Sequence, residues 1–159
     1  MEYYYQESVA TYLKADRAVT LHEECTIQPR EGSVLKPSTI CDVFVLNSKE
    51  QQAYLCEVTY DKSLGSLSKR LTDWNSQWPL VQEALVDDCG LDRKWAVRPW
   101  LFIPEYLVPR AVGIVHRLQK LGTMPLARIT TLEMVAPWKY ADPRIGEEPK
   151  PTTIPVEMR

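Results

Sequence analysis

The sequence predicts an α/β protein, a mixed sheet with helices on both faces, in the order α-β-β-β-α-β-α-β. Three observations carry this. Two neighbouring apolar runs, 39–46 and 53–60, flank the polar stretch 47–52 and read as a hairpin. Leu67, Leu71, Trp74, Trp78, Val81 and Leu85 then recur at steps of three and four, the mark of a long amphipathic helix. A further apolar run, 94–103, precedes a second helical stripe. A strand meander followed by a helix and a returning strand implies a mixed sheet covered by its connections.

Each element follows from its residues. In residues 2–18, Tyr5, Val9, Tyr12 and Leu13 share one helical face. Residues 19–28 alternate loosely and are rich in β-formers, a first strand, and 29–33 carry turn chemistry. Ser63–Ser66 breaks the strand pattern and offers helix caps. The helix expected over 66–88 contains Pro79, which should kink or split it, and Cys89-Gly90 ends it. Pro99 marks the 94–103 strand for a bulge or an edge. Leu107, Ala111, Ile114, Val115, Leu118 and Leu121 define a helix over 105–121, and 124–135 fit a last strand.

Composition bounds the function. The chain has 159 residues, expected as one domain over 1–136 and a tail over 137–159. That tail holds five prolines and little apolar periodicity, so an extended or disordered segment is expected, or an arm onto a partner. The net charge of −2 gives no global attraction for nucleic acid, which leaves local basic faces to supply any. The candidates are Lys62, Lys69 and Arg70 in one segment and Arg110, Arg117 and Lys120 in another. Four cysteines without a C-x-x-C pair, and only two histidines, argue against a zinc site; Cys25, Cys41 and Cys56 fall in expected strands as small buried hydrophobes. No signal pattern is seen and no apolar run nears the roughly 20 residues of a membrane helix, so a cytoplasmic protein is expected. Trp74 and Trp78 lie on the apolar stripe and belong to the core. Tyr3-Tyr4-Tyr5 cannot all face one core, so an interface role for them is in play. P-loop, dinucleotide and Ser-His-Asp or Cys-His signatures are absent.

The chemistry rests on two acids. Closing the hairpin symmetrically about its loop sets Leu46 against Ala53, Phe44 against Leu55 and Asp42 against Glu57. Opposed residues of antiparallel strands have Cβ atoms about 4.5–5.5 Å apart, and like charges at that separation destabilise a sheet unless offset. A hard divalent cation is one agent that offsets them. An ordinary half-exposed strand face is the plainer reading, opposed by the apolar neighbours Leu55, Cys56 and Val58.

With an acid opening the second strand, another within the third and a helix following, the chain resembles the PD-(D/E)XK nuclease superfamily, which has the restriction-endonuclease-like fold. The resemblance covers roughly residues 5–135 by element order and only a few residues by motif. It implies that Asp42 and Glu57 hold Mg²⁺ or Mn²⁺, that Glu7 on the first helix is an auxiliary ligand, and that the activity is hydrolysis of DNA phosphodiester bonds. The chain departs from the pattern twice. Cys41 replaces the proline before the first acid, and Thr59 stands where the motif lysine belongs. Lys62 and Lys69 are the candidates for a relocated lysine; Lys69 is about 200° around the helix from Leu67. The alternative is a catalytically silent module of the same fold that binds a protein partner, or itself as a homodimer, through the tyrosines or the tail, as a mobile-element or defence-related regulator would.

Overall fold

The computed structural model describes residues 2–15, 19–26 and 40–135. The elements are α1 (Glu2–Lys14), β1 (Val19–Thr26), β2 (Ile40–Asn47), β3 (Gln52–Val58), α2 (Gly65–Ser76), α3 (Trp78–Cys89), β4 (Ala96–Ile103), α4 (Val108–Gln119), β5 (Arg128–Thr131) and α5 (Leu132–Val135); a 3₁₀ turn, Glu105–Leu107, precedes α4. The expected turn at 29–33, the tail 137–159 and the side chains of Tyr3, Tyr4 and Tyr5 lie outside the described residues.

The five strands form one sheet in sequence order. The first three are antiparallel neighbours, and β3–β4 and β4–β5 are parallel. Parallel neighbours need a crossover of a dozen or more residues, which α2 and α3 supply between β3 and β4. The hairpin register is the expected one, with Leu46 opposite Ala53 and Phe44 opposite Leu55. Its turn is locked by Asn47, whose Oδ1 accepts the N–H groups of Lys49 and Glu50, while Gln51 takes a left-handed φ of 52°.

Side-chain alternation divides the core in two. Phe44, Leu55 and Leu101 pack under α2, α3 and α4, with the expected stripe from Leu67 to Leu85 fully buried. Val43, Val45, Cys56 and Phe102 pack on the other face against Val9, Leu13, Leu132 and Val135 of α1 and α5. Trp74 and Trp78 are core residues.

The expected split at Pro79 and the expected edge at Pro99 are both found, and two other expectations are corrected. The 66–88 helix is two helices: the break falls at Gln77, so that Pro79 enters the first turn of α3, where its missing N–H costs no hydrogen bond. Pro99 lies in β4, which is flanked on both sides; however, β5 begins only opposite Trp100, so at Pro99 the strand is paired with β3 alone. The last strand is four residues long instead of twelve. The Met124 N–H goes to Asn75 Oδ1, and Thr131 Oγ1 accepts from the Met134 N–H, turning the chain into α5. Leu121, expected on the buried stripe, is 72% exposed because α4 ends at Gln119.

Asn75 ties the last turn of α2 to the exit of α4. It is buried, its Nδ2 donates to the Leu118 carbonyl at 2.8 Å and its Oδ1 accepts the Met124 N–H at 3.3 Å. A Cβ at Gly122 would stand 2.3 Å from that Oδ1. Gly122→Ala should therefore destabilise the fold by about 1–3 kcal/mol. Asn75→Ala should cost a similar amount, about 1–3 kcal/mol, by orphaning two backbone groups. The double variant should lose less than the two losses combined, because both act on one contact. Urea unfolding measures this; an alanine at 122 with an unshifted midpoint would show that the close approach does not matter.

Candidate active site at the carboxyl end of the third strand

Asp42 and Glu57 lie on the same face as Phe44 and Leu55, the face under α2. The β2–β3 ladder ends with Val43 opposite Cys56. Beyond that pair, the Val58 N–H donates to the Asp42 carboxylate, with Oδ2 at 2.8 Å. Asp42 thus takes a backbone donor that would otherwise seek a strand partner, and its side chain is held beside Glu57. On the other side of β2, Gln6 of α1 donates from Nε2 to the Asp42 carbonyl at 2.9 Å.

The segment leading to α2 is a tight, self-bonded turn. Thr59 Oγ1 accepts the Asp61 N–H, and the Asp61 carboxylate accepts from both the N–H and the hydroxyl of Ser63. Ser63 Oγ in turn accepts the Gly65 N–H. The expected serine cap does not form: the cap residue is Leu64, with φ at 54° and no side-chain capping bond. A left-handed leucine is strained by about 1–3 kcal/mol. It is held there by burial, being 1% exposed. The turn swings the start of α2 over the end of β3. Leu67 and Arg70, one helical turn apart, both reach the cleft that results.

This cleft has a volume of about 70 Å³ and is lined by Asp42, Glu57, Val58, Thr59, Ser66, Leu67 and Arg70. With Arg70 seated there is still room for a few waters or one partly hydrated ion. Arg70 Nη1 is 2.9 Å from both oxygens of Glu57 and 4.0 Å from Asp42 Oδ1. The side chains of Asp42, Glu57 and Arg70 are 27%, 7% and 34% exposed. Burial first, and the Asp42 carboxylate second, push Glu57 well above the usual carboxylate range; Arg70 opposes this without reversing it. A hydrogen bond between the two carboxyl groups also favours a protonated Glu57. Burial alone would lower the Arg70 guanidinium, and Glu57 followed by Asp42 raise it above its ordinary value.

The two acids therefore meet as the hairpin register implies, and Thr59 lines the same cleft. The three other candidates do not join them. Glu7 is exposed on α1, which packs on the opposite face of the sheet; its neighbour Gln6 makes the contact to β2. Lys62 is exposed in the turn and offers its carbonyl to Arg110 Nη1 at 2.8 Å. Lys69 is exposed, and neither lysine lines the cleft. The cation that does is Arg70, which sequence reasoning placed only within a basic patch. The signal was its three-residue spacing from Leu67, which puts it on the flank of the buried stripe.

Among the described residues no three His, Cys, Asp or Glu side chains gather as a metal-holding group. Two carboxylates are nonetheless a fitting donor set for Mg²⁺, which keeps several waters and takes one or two protein carboxylates together with substrate phosphate. With both acids ionised, one guanidinium leaves a surplus negative charge, which a proton on Glu57 or a bound cation would remove.

Glu57 gives the site a pH signature. Its folded pKa lies above the unfolded value, so the folded state holds the extra proton and is favoured at low pH. That stability is lost as pH rises from the ordinary carboxylate range through the raised folded value, with a slope of at most about 1.4 kcal/mol per pH unit for one proton. Wild type measured against Glu57→Gln by urea unfolding across pH 4–8 should lose relative stability with rising pH. A constant difference across that range would show that Glu57 does not hold the proton.

No family model, curated protein or solved structure matches the chain, so the chemistry of the cleft stands on its geometry.

Proposed function

We propose that the chain is a metal-dependent nuclease-like enzyme hydrolysing phosphodiester bonds in DNA, on a restriction-endonuclease-like core. The convergence of Asp42 and Glu57 on one cleft, with a cation from α2 beside them, carries this reading. Asp42 and Glu57 would hold Mg²⁺ or Mn²⁺, which when bound supplies Lewis-acid polarisation of a phosphoryl oxygen and an acidified water. The chain's own contributions are separable. Arg70 provides positive charge where the motif lysine is missing, at the rim of the cleft where a phosphate would approach. Exposed Lys62 and Arg110, joined through the Lys62 carbonyl, put further charge next to the turn that leaves Glu57. Thr59, its hydroxyl engaged by the Asp61 N–H, shapes the wall without adding charge.

One observation favours a second reading. Arg70 Nη1 already sits on both Glu57 oxygens, as it would in a silent module whose ion pair is structural and whose surface binds a protein partner.

Incubation of supercoiled plasmid and of branched DNA with the full chain in Mg²⁺ or Mn²⁺ separates the two. Cleavage is expected, and Asp42→Asn and Glu57→Gln should each lose about 10²–10³ in rate or more, the scale of a lost preorganised electrostatic contact. Lys62→Ala and Lys69→Ala should retain most of the activity, and Arg70→Ala should not. A wild type that cleaves no faster than Glu57→Gln with either ion removes the hydrolytic reading and leaves the binding module.

A further inference from the structure

We infer that Arg70 is a built-in competitor for the divalent ion: guanidinium and ion occupy Glu57 in alternation, and the ion's arrival releases the arginine toward a phosphoryl oxygen. This rests on the hydrolytic reading of the same cleft. A single nitrogen, Nη1, is 2.9 Å from each Glu57 oxygen and 4.0 Å from Asp42 Oδ1, so it fills the space between the carboxylates where a shared ion would lie. Arg70 can leave without disturbing the core, because its side chain is 34% exposed while that of Glu57 is 7% exposed. Charge favours the exchange. The divalent ion brings one more positive charge to the two carboxyl groups than the guanidinium it replaces. The freed guanidinium then matches the single negative charge of a phosphodiester. Ion binding and Arg70 seating are thus negatively coupled, and the coupling is reciprocal.

Titration calorimetry with MnCl₂ alone, on the full chain, tests this. Arg70→Gln should bind Mn²⁺ about tenfold or more tighter than wild type, the range of an ordinary coupling. Glu57→Gln should abolish binding in both backgrounds. Removing a positive charge tightens ion binding even without movement, so a second measurement on wild type is needed. The Arg70 Nε–H resonance in ¹⁵N NMR should shift and exchange faster with solvent as diamagnetic Mg²⁺ saturates the site. This measurement also decides the matter if Arg70→Gln does not fold. If wild type binds Mn²⁺ and the variant binds it no tighter, or if the Arg70 signal is unmoved at Mg²⁺ saturation, the competition is overturned while the hydrolytic reading stands. If neither protein binds Mn²⁺, both fall.

Discussion

Two carboxylates on adjacent strands share one guanidinium, and that inequality of charge organises this end of the molecule. Asp42 can stand beside Glu57 because it has a second task, accepting the Val58 N–H where the β2–β3 ladder stops. Glu57 can be buried because Arg70 reaches it and because its proton affinity rises to meet the rest of the mismatch. Removing one partner of a buried pair leaves the other charge uncompensated, which is why such pairs are fragile even where they add little net stability. Here one guanidinium faces two carboxyl groups, and the proton favoured on Glu57 makes up the difference. A site of this kind is poised for a proton or a cation, and a hydrophobic core has no use for either.

The rest of the fold supports that arrangement from a distance. Arg70 is placed by α2, and α2 is placed by three anchors: the stripe of Leu67, Leu71 and Trp74 on the sheet, the Asn75 clamp to the exit of α4, and the turn before Leu64. Leu64 accepts a strained backbone so that the chain can reverse in a few residues from β3 into a helix lying over the end of the same strand. Asp61 and Ser63 stiffen the reversal with bonds confined to the turn itself. Local strain of this sort persists only where the surroundings over-determine it, and it concentrates where geometry matters more than stability.

How much of this could be read from residues alone depends on the range of the interaction. Strand pairing in the hairpin was legible because the polar loop 47–52 and the two apolar runs fix one register, and that register brings Asp42 to Glu57. The helical stripe was legible because its period is local. Errors arose where a distant partner decides. Residues 124–135 have strand-like composition throughout, yet Asn75, far away in sequence, claims the Met124 N–H, and Thr131 caps a helix instead of continuing a strand. The lysine search failed for a related reason. Nearness in sequence to Glu57 favours Lys62 and Lys69, while the fold selects by direction: both lysines are exposed, and Arg70 points into the cleft. Glu7 failed on the same ground, since no local pattern states which face of the sheet a leading helix will cover.

An arginine from a helix is not equivalent to a lysine from the strand that carries the acid. A lysine at position 59 would be fixed by the pleat on the same face as Glu57 and could give up its proton at an accessible pH. Arg70 stays charged throughout the range in which proteins are folded, so it cannot take a proton from a water. On the hydrolytic reading this assigns the roles by elimination among the groups that line the cleft. Arg70 can only stabilise negative charge. Thr59 is occupied by the turn, and Asp42 is committed to the Val58 N–H on one oxygen. Glu57 is the group whose proton affinity is raised, by burial first and by the Asp42 carboxylate second. Seating Arg70 on Glu57 masks that carboxylate. On the hydrolytic reading, a helix arginine in place of a strand lysine therefore supplies charge for a phosphate without supplying a proton acceptor for the water.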